Sequence, residues 1–114
     1  MNVNRKGRIM RAYRHGDLLL VATDKPGKGR ALRPVNGRLV ILEGEATGHA
    51  HTVSPDHATL ITADEADELR MWLTLTAPTR LEHQEHATIV IPAGSYEVIR
   101  QVEYEPEGLK RVMD

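Results

Sequence analysis

Apolar runs in this chain are short and closely punctuated, and that pattern limits the fold more than any other feature. LLLVA (18–22) runs into the turn-rich TDKPGKGR, RLVILEG (38–44) follows Asn36-Gly37, and TIVI (88–91) stops at Pro92-Ala93-Gly94. Runs of about four to eight residues bounded by Gly, Pro, Asn or Asp read as strands, whereas a helix needs a longer stretch of 3.6-residue periodicity. RMWLTLT (70–76) alternates cleanly, with Met71, Leu73 and Leu75 on one face and Arg70, Trp72, Thr74 and Thr76 on the other. SYEVIRQVEY (95–104) places Tyr96, Val98, Arg100, Val102 and Tyr104 on one face and Glu97, Ile99, Gln101 and Glu103 on the other. Asn36-Gly37 signals a type I′ hairpin turn, and Ser54-Pro55-Asp56 marks a turn between HTV and ATLIT. Only ADEADEL (63–69) has helical character, enough for a turn or two. The expectation is an all-β domain of roughly seven to nine short strands. It would be a small β-barrel or β-roll, cupin-like or similar, with at most one short helix.

A length of 114 residues fits one hydrophobic core, so residues 1–114 are read as a single β domain with 1–11 as a basic N-terminal arm. With no Phe, one Trp and three Tyr, the core has to be built from Val, Leu, Ile and Met. Cysteine is absent, which excludes disulfides and thiolate ligands and fits a reducing compartment. The stretch MNVNRKGRIMRAYR has charges where a signal peptide needs apolar residues, and no run approaches the ~20 apolar residues of a membrane span. The expectation is a cytoplasmic protein with no membrane partner.

Charge is unevenly placed: residues 1–38 carry a balance of +8 and residues 39–114 one of −9. Such asymmetry suits self-association, the basic end of one copy meeting the acidic flank of another, and a homo-oligomer is expected. Nucleic-acid contact is the less favoured use, because aromatic stacking residues are scarce and no nucleic-acid motif is present.

The candidate chemistry lies in two histidine clusters. In EGEATGHAHTV (43–53), His49 and His51 are two residues apart, and on a strand such side chains share a face about 6.5–7 Å apart. They can converge on one ion, with Gly48 and Ala50 leaving the approach uncrowded. LEHQEH (81–86) adds His83 and His86. In a regular strand His83 and Glu85 face one side and Gln84 and His86 the other. Either a bulge or turn intervenes, or one histidine alone joins the site, and Glu85 beside His83 favours His83. Four imidazoles with carboxylates and no thiolate suit Zn, Fe, Mn or Ni as a divalent ion. Open positions on that ion would permit activation of water or of a small-molecule ligand, with Glu85, Glu97 or Glu45 as base or extra ligand. Whether the chain is an enzyme is left open. His15, in RHGD, reads as a turn residue before LLLVA, or with Asp17 as a base and its orienter. His57 reads as a loop residue. GKGR lacks the length and ending of a phosphate loop, and no serine has a nucleophile-elbow context.

The segments YRHGDLLL, LEGEATGHAHTV and LEHQEHATIVIPAGSYEVIRQVEYEPEG together resemble a family of small bacterial proteins with no established reaction. GEATGHAH and IPAGSYE more loosely resemble the two metal-binding motifs of cupins. Four residues rather than five separate Gly44 from His49, Asp56 falls where the carboxylate is expected, and Glu97 stands where that family has a histidine. The resemblance therefore implies a β-barrel-like fold more than the cupin ligand set, with LEHQEH as the alternative source of the missing imidazole.

Overall fold

The computed structural model describes residues 2–3, 9–44, 48–65, 68–105 and 108–111, with side chains for 11–44, 48–63 and 69–101. The domain is all-β, and its one helical element is a short 3₁₀ turn among the described residues. Strand β1 (Asn2–Val3) pairs with β2 (Ile9–Met10). The chain continues through β3 (Ala12–His15), β4 (Leu18–Ala22), β5 (Arg30–Ala31), β6 (Leu39–Glu43) and β7 (Ala50–Val53). After the 3₁₀ turn Pro55–His57 come β8 (Ala58–Glu65), β9 (Glu68–Leu75), β10 (Thr79–Leu81), β11 (Ile89–Ile91) and β12 (Gly94–Arg100). Strands β13 (Val102–Glu105) and β14 (Gly108–Arg111) form a terminal hairpin.

The main sheet has six antiparallel strands in the order β3-β4-β12-β9-β8-β5. Two small hairpins, β6-β7 and β10-β11, are joined by the Thr52–Glu82 bridge, whose two backbone hydrogen bonds are both 2.9 Å. Together they make a second layer. Leu18, Leu20, Leu60, Leu73, Leu75 and Tyr96 of the main sheet form one buried cluster with Leu39, Ile41, Val53, Leu81 and Ile91 of the second layer. The hydrogen-bonded sheets do not close into a barrel among the described residues, so the architecture is sandwich- or roll-like.

Local chemistry explains the strand ends. Asn36 and Gly37 both have positive φ, 51° and 77°, and Val35 and Arg38 exchange two backbone hydrogen bonds across them, the expected type I′ turn. Ser54 Oγ accepts the Asp56 amide and caps the 3₁₀ turn. The helical expectation for ADEADEL fails. The β8–β9 ladder continues through Ala63↔Arg70, Asp64↔Leu69 and Glu65↔Glu68, with residues 66–67 outside the described set. Extending an existing ladder costs less than nucleating an isolated helix turn. The single strand expected over 95–104 breaks at Gln101. Its amide donates to the Asp17 carbonyl at 2.8 Å, one further bond in the β4–β12 register.

Trp72, expected on the face opposite Leu73, is nevertheless buried, because the 24–29 segment lies over it. Gly27 packs so closely that a Cβ there would stand 2.2 Å from the indole. Arg70 lies on the same ring, its guanidinium carbon 4.9 Å from the ring centre. No helix among the described residues is long and apolar enough to cross a membrane.

Candidate functional site

At one end of the core, the β3–β4 turn, the start of β7, the end of β12 and the connection from β10 to β11 converge. Gly16 has φ 62° at the first turn position, the II′ pattern that suits a two-residue hairpin. The tight turn leaves His15 and Asp17 on either side of it, both 4% exposed. On β7, His51 shares the inner face with Val53 and is fully buried. A register shift between Val40 and Leu42 places Leu42, rather than Ile41, opposite His51.

Five imidazoles gather here. The His51 ring centre is 4.4 Å from that of His83, 5.0 Å from His15 and 5.9 Å from His86, with which it is stacked. His83 and His86 are 4.5 Å apart, His15 and His86 5.5 Å, and His49 and His83 5.7 Å. A bend over residues 84–86 brings both histidines of LEHQEH to one side, where a regular strand would set them on opposite faces.

The hydrogen bonds assign the protons. His15 Nε2 lies 2.8 Å from the Ala87 carbonyl oxygen, which only accepts, so Nε2 carries hydrogen and a neutral His15 presents a lone pair at Nδ1. His51 Nε2 lies 3.3 Å from the Asp17 carboxylate, so it too carries hydrogen and directs its Nδ1 lone pair inward. The two Nδ1 atoms are 2.9 Å apart. Two lone pairs facing each other at that distance repel unless an electrophile lies between them: a proton or a metal ion.

Asp17 is itself held from behind. Arg100 Nε makes an ion pair with Asp17 Oδ2 at 3.2 Å, and Arg100 also donates to the Glu43 carbonyl. Arg14 donates to the Gln101 side-chain oxygen, completing a clip around the His15–Asp17 turn.

Toward solvent, His83 Nδ1 accepts the Glu85 amide at 2.9 Å, so a neutral His83 carries its proton on Nε2. His49 Nδ1 stands 3.3 Å from Glu85 Oε1 at the rim, with side-chain exposures of 28% and 50%. A cleft of about 320 Å³ lined by Ala50, Thr52, Glu82, His83, Gln84 and Thr88 opens beside them.

Of the residues expected at the site, His51, His83 and His86 come together, and His49 and Glu85 form the rim. Glu97 does not join them. It faces away from Tyr96 and binds Arg70 through contacts of 2.9 and 3.1 Å, as strand alternation requires. Asp56 and His57 are exposed in the 3₁₀ turn, and Glu45 lies outside the described residues. His15, which the sequence offers as a turn residue or as a base beside Asp17, stands within the imidazole cluster, and the Asp17 carboxylate meets His51 Nε2. Arg100 was signalled by alternation, which put it on the same face as Tyr96 and Val98. Among the described residues, no three His, Asp or Glu side chains are set as a ready coordination shell.

A family model, Domain of unknown function (DUF8820), matches residues 14–101. The chain belongs to that family. The DUF8820 match takes in Asp17, all five clustered histidines, Glu85 and Arg100. No curated protein and no solved structure matches the chain. Membership in DUF8820 assigns no reaction, so the chemistry rests on the geometry.

Proposed function

We propose that this chain is a small metal-binding β protein holding a divalent transition ion, Zn, Fe, Mn or Ni, at the buried end of its histidine cluster. The observation that carries this reading is the pair of opposed Nδ1 atoms 2.9 Å apart, each ring fixed through its other nitrogen. An ion bonded to both Nδ1 atoms at about 2.0–2.1 Å would fit nitrogens at that spacing. A carboxylate behind a ligating histidine, as Asp17 stands behind His51, fixes the tautomer and raises ligand basicity. Two nitrogens alone do not retain an ion tightly, and His86, with its ring centre 5.5 Å from that of His15 and 5.9 Å from that of His51, would be the third ligand by turning its ring. His83 can ligate through Nδ1 only by giving up the Glu85 amide. Three imidazoles would leave positions for water or a small-molecule ligand entering by the adjacent cleft, an arrangement that permits metal-assisted chemistry, with Glu85 beside His49 at the rim. The cysteine-free, imidazole-based donor set fits a cytoplasmic chain. The opposed charges of the first third and the remainder support a homo-oligomer.

Elemental analysis of protein purified without a histidine tag tests the metal. About one ion per chain is expected, lost in His15→Ala and His51→Ala. A metal content that is negligible, or that survives both substitutions, overturns the assignment.

A second reading is favoured by the lack of a preformed three-donor shell. With a proton between the Nδ1 atoms, His15 and His51 form an imidazole–imidazolium couple balanced by Asp17, a general acid–base site. Failure of the intact chain to bind any of the four metals would favour it.

A further inference from the structure

The imidazoles are ordered by depth. Exposure falls from Glu85 and His49, at 50% and 28% of their side chains, through His83 at 9%, to His15 at 4% and His51 at 0%. An ion bonded at about 2.1 Å lies about 3.2 Å from the centre of an imidazole ring, so rings up to roughly 6.5 Å apart can share it. The His49–His83, His83–His51 and His51–His15 spacings of 5.7, 4.4 and 5.0 Å all fall inside that limit. A continuous series of ligands thus runs from the surface to the buried pair, with a carboxylate at its outer end.

Resting on the metal reading above, we propose that the His49–Glu85 pair is the loading step of the site and not part of its final ligand set. Glu85 draws a hydrated divalent cation to the rim, His49 gives it a first imidazole, and His83 passes it inward to His15 and His51. Glu85 is tied to this transfer by its backbone as well as its side chain. Its amide occupies His83 Nδ1, so accepting the ion at that nitrogen requires the 84–86 bend to release the ring. Outer ligands that lower the barrier to passage act equally on entry and exit, and leave the equilibrium unchanged. A focused negative charge at a cleft mouth raises cation capture by a factor of ten or more.

The test is stopped-flow binding of Co²⁺ to the metal-free full chain, read by visible absorbance, with release driven by a chelator. Glu85→Gln and His49→Gln should each slow loading and release by about tenfold, with Kd changed less than twofold. Glu85→Lys should slow loading further. Asp56→Asn, which removes a carboxylate from the exposed 3₁₀ turn, should leave both rates unchanged. Unchanged rates in the rim variants overturn the proposal, as does a Kd that weakens in step with the loading rate, which would make the pair resident ligands. Equal slowing by Asp56→Asn overturns it in favour of net charge. Absence of Co²⁺ binding by the unaltered chain overturns the metal reading itself, and this inference with it.

Discussion

Asp17 is the residue on which the site's chemistry turns. It accepts from His51 Nε2, pairs with Arg100, and is gripped by the Gln101 amide through its own carbonyl. Asp17→Asn keeps the shape and removes the charge that fixes the His51 tautomer. It should weaken Zn²⁺ affinity by about 10- to 100-fold, the range for lost partners of metal-bound histidines. A competition titration checks this, and unchanged affinity would contradict it. Tyr96 shows a different coupling. Burial raises its pKa above the ordinary tyrosine value, the nearby Tyr13 adds to the rise and Arg11 opposes it. Its hydroxyl donates to the Pro92 carbonyl at 2.7 Å. The folded chain therefore keeps this proton at a pH where the unfolded chain has lost it. The associated stability is complete below about pH 10 and is lost as pH rises through the folded value. Tyr96→Phe should cost about 1 kcal/mol at neutral pH and flatten the decline above pH 10, as measured by denaturant unfolding at both pH values.

At the scale of elements, strand alternation was the most readable feature. It placed Met71, Leu73 and Leu75 together, set Glu97 opposite Tyr96, and put Arg100 on the inner face. It did not show what lies over the outer face. Trp72 is buried only because the 24–29 segment returns across β9, a long-range contact invisible to local periodicity. The same limit hid the site. His15 and His51 lie 36 positions apart, and neither neighbourhood announces that a II′ turn and a β7 end meet. The HxH and HQEH clusters were legible, but the bend that lets His83 and His86 share a side depends on how β10 is tied to β7. Gly29 tests the strap directly. A Cβ there would stand 2.2 Å from the Thr62 backbone oxygen, an atom that cannot swing aside. Gly29→Ala should destabilise the domain by about 1–3 kcal/mol, the usual cost of overpacking, and increase Trp72 exposure. Unfolding followed by tryptophan fluorescence reads both, and unaltered stability would contradict the packing argument.

For the whole molecule, the six-stranded sheet and the two bridged hairpins act as jaws, with apolar contacts along their length and the histidines at one end. The basic excess of the first third is spread by this topology. Arg14 on β3 and Arg30 on β5 occupy opposite edges of the main sheet, five strand spacings apart or about 24 Å. Arg5, Lys6 and Arg8 lie outside the described residues. Long-range ¹H–¹⁵N NMR of the histidines reads the opposed Nδ1 atoms of His15 and His51 directly. On addition of one equivalent of Zn²⁺, Nδ1 of His15 and of His51 should take on the shift of a metal-bound nitrogen while each Nε2 keeps its proton. Coordination through Nε2, or spectra unchanged by Zn²⁺, would contradict the account.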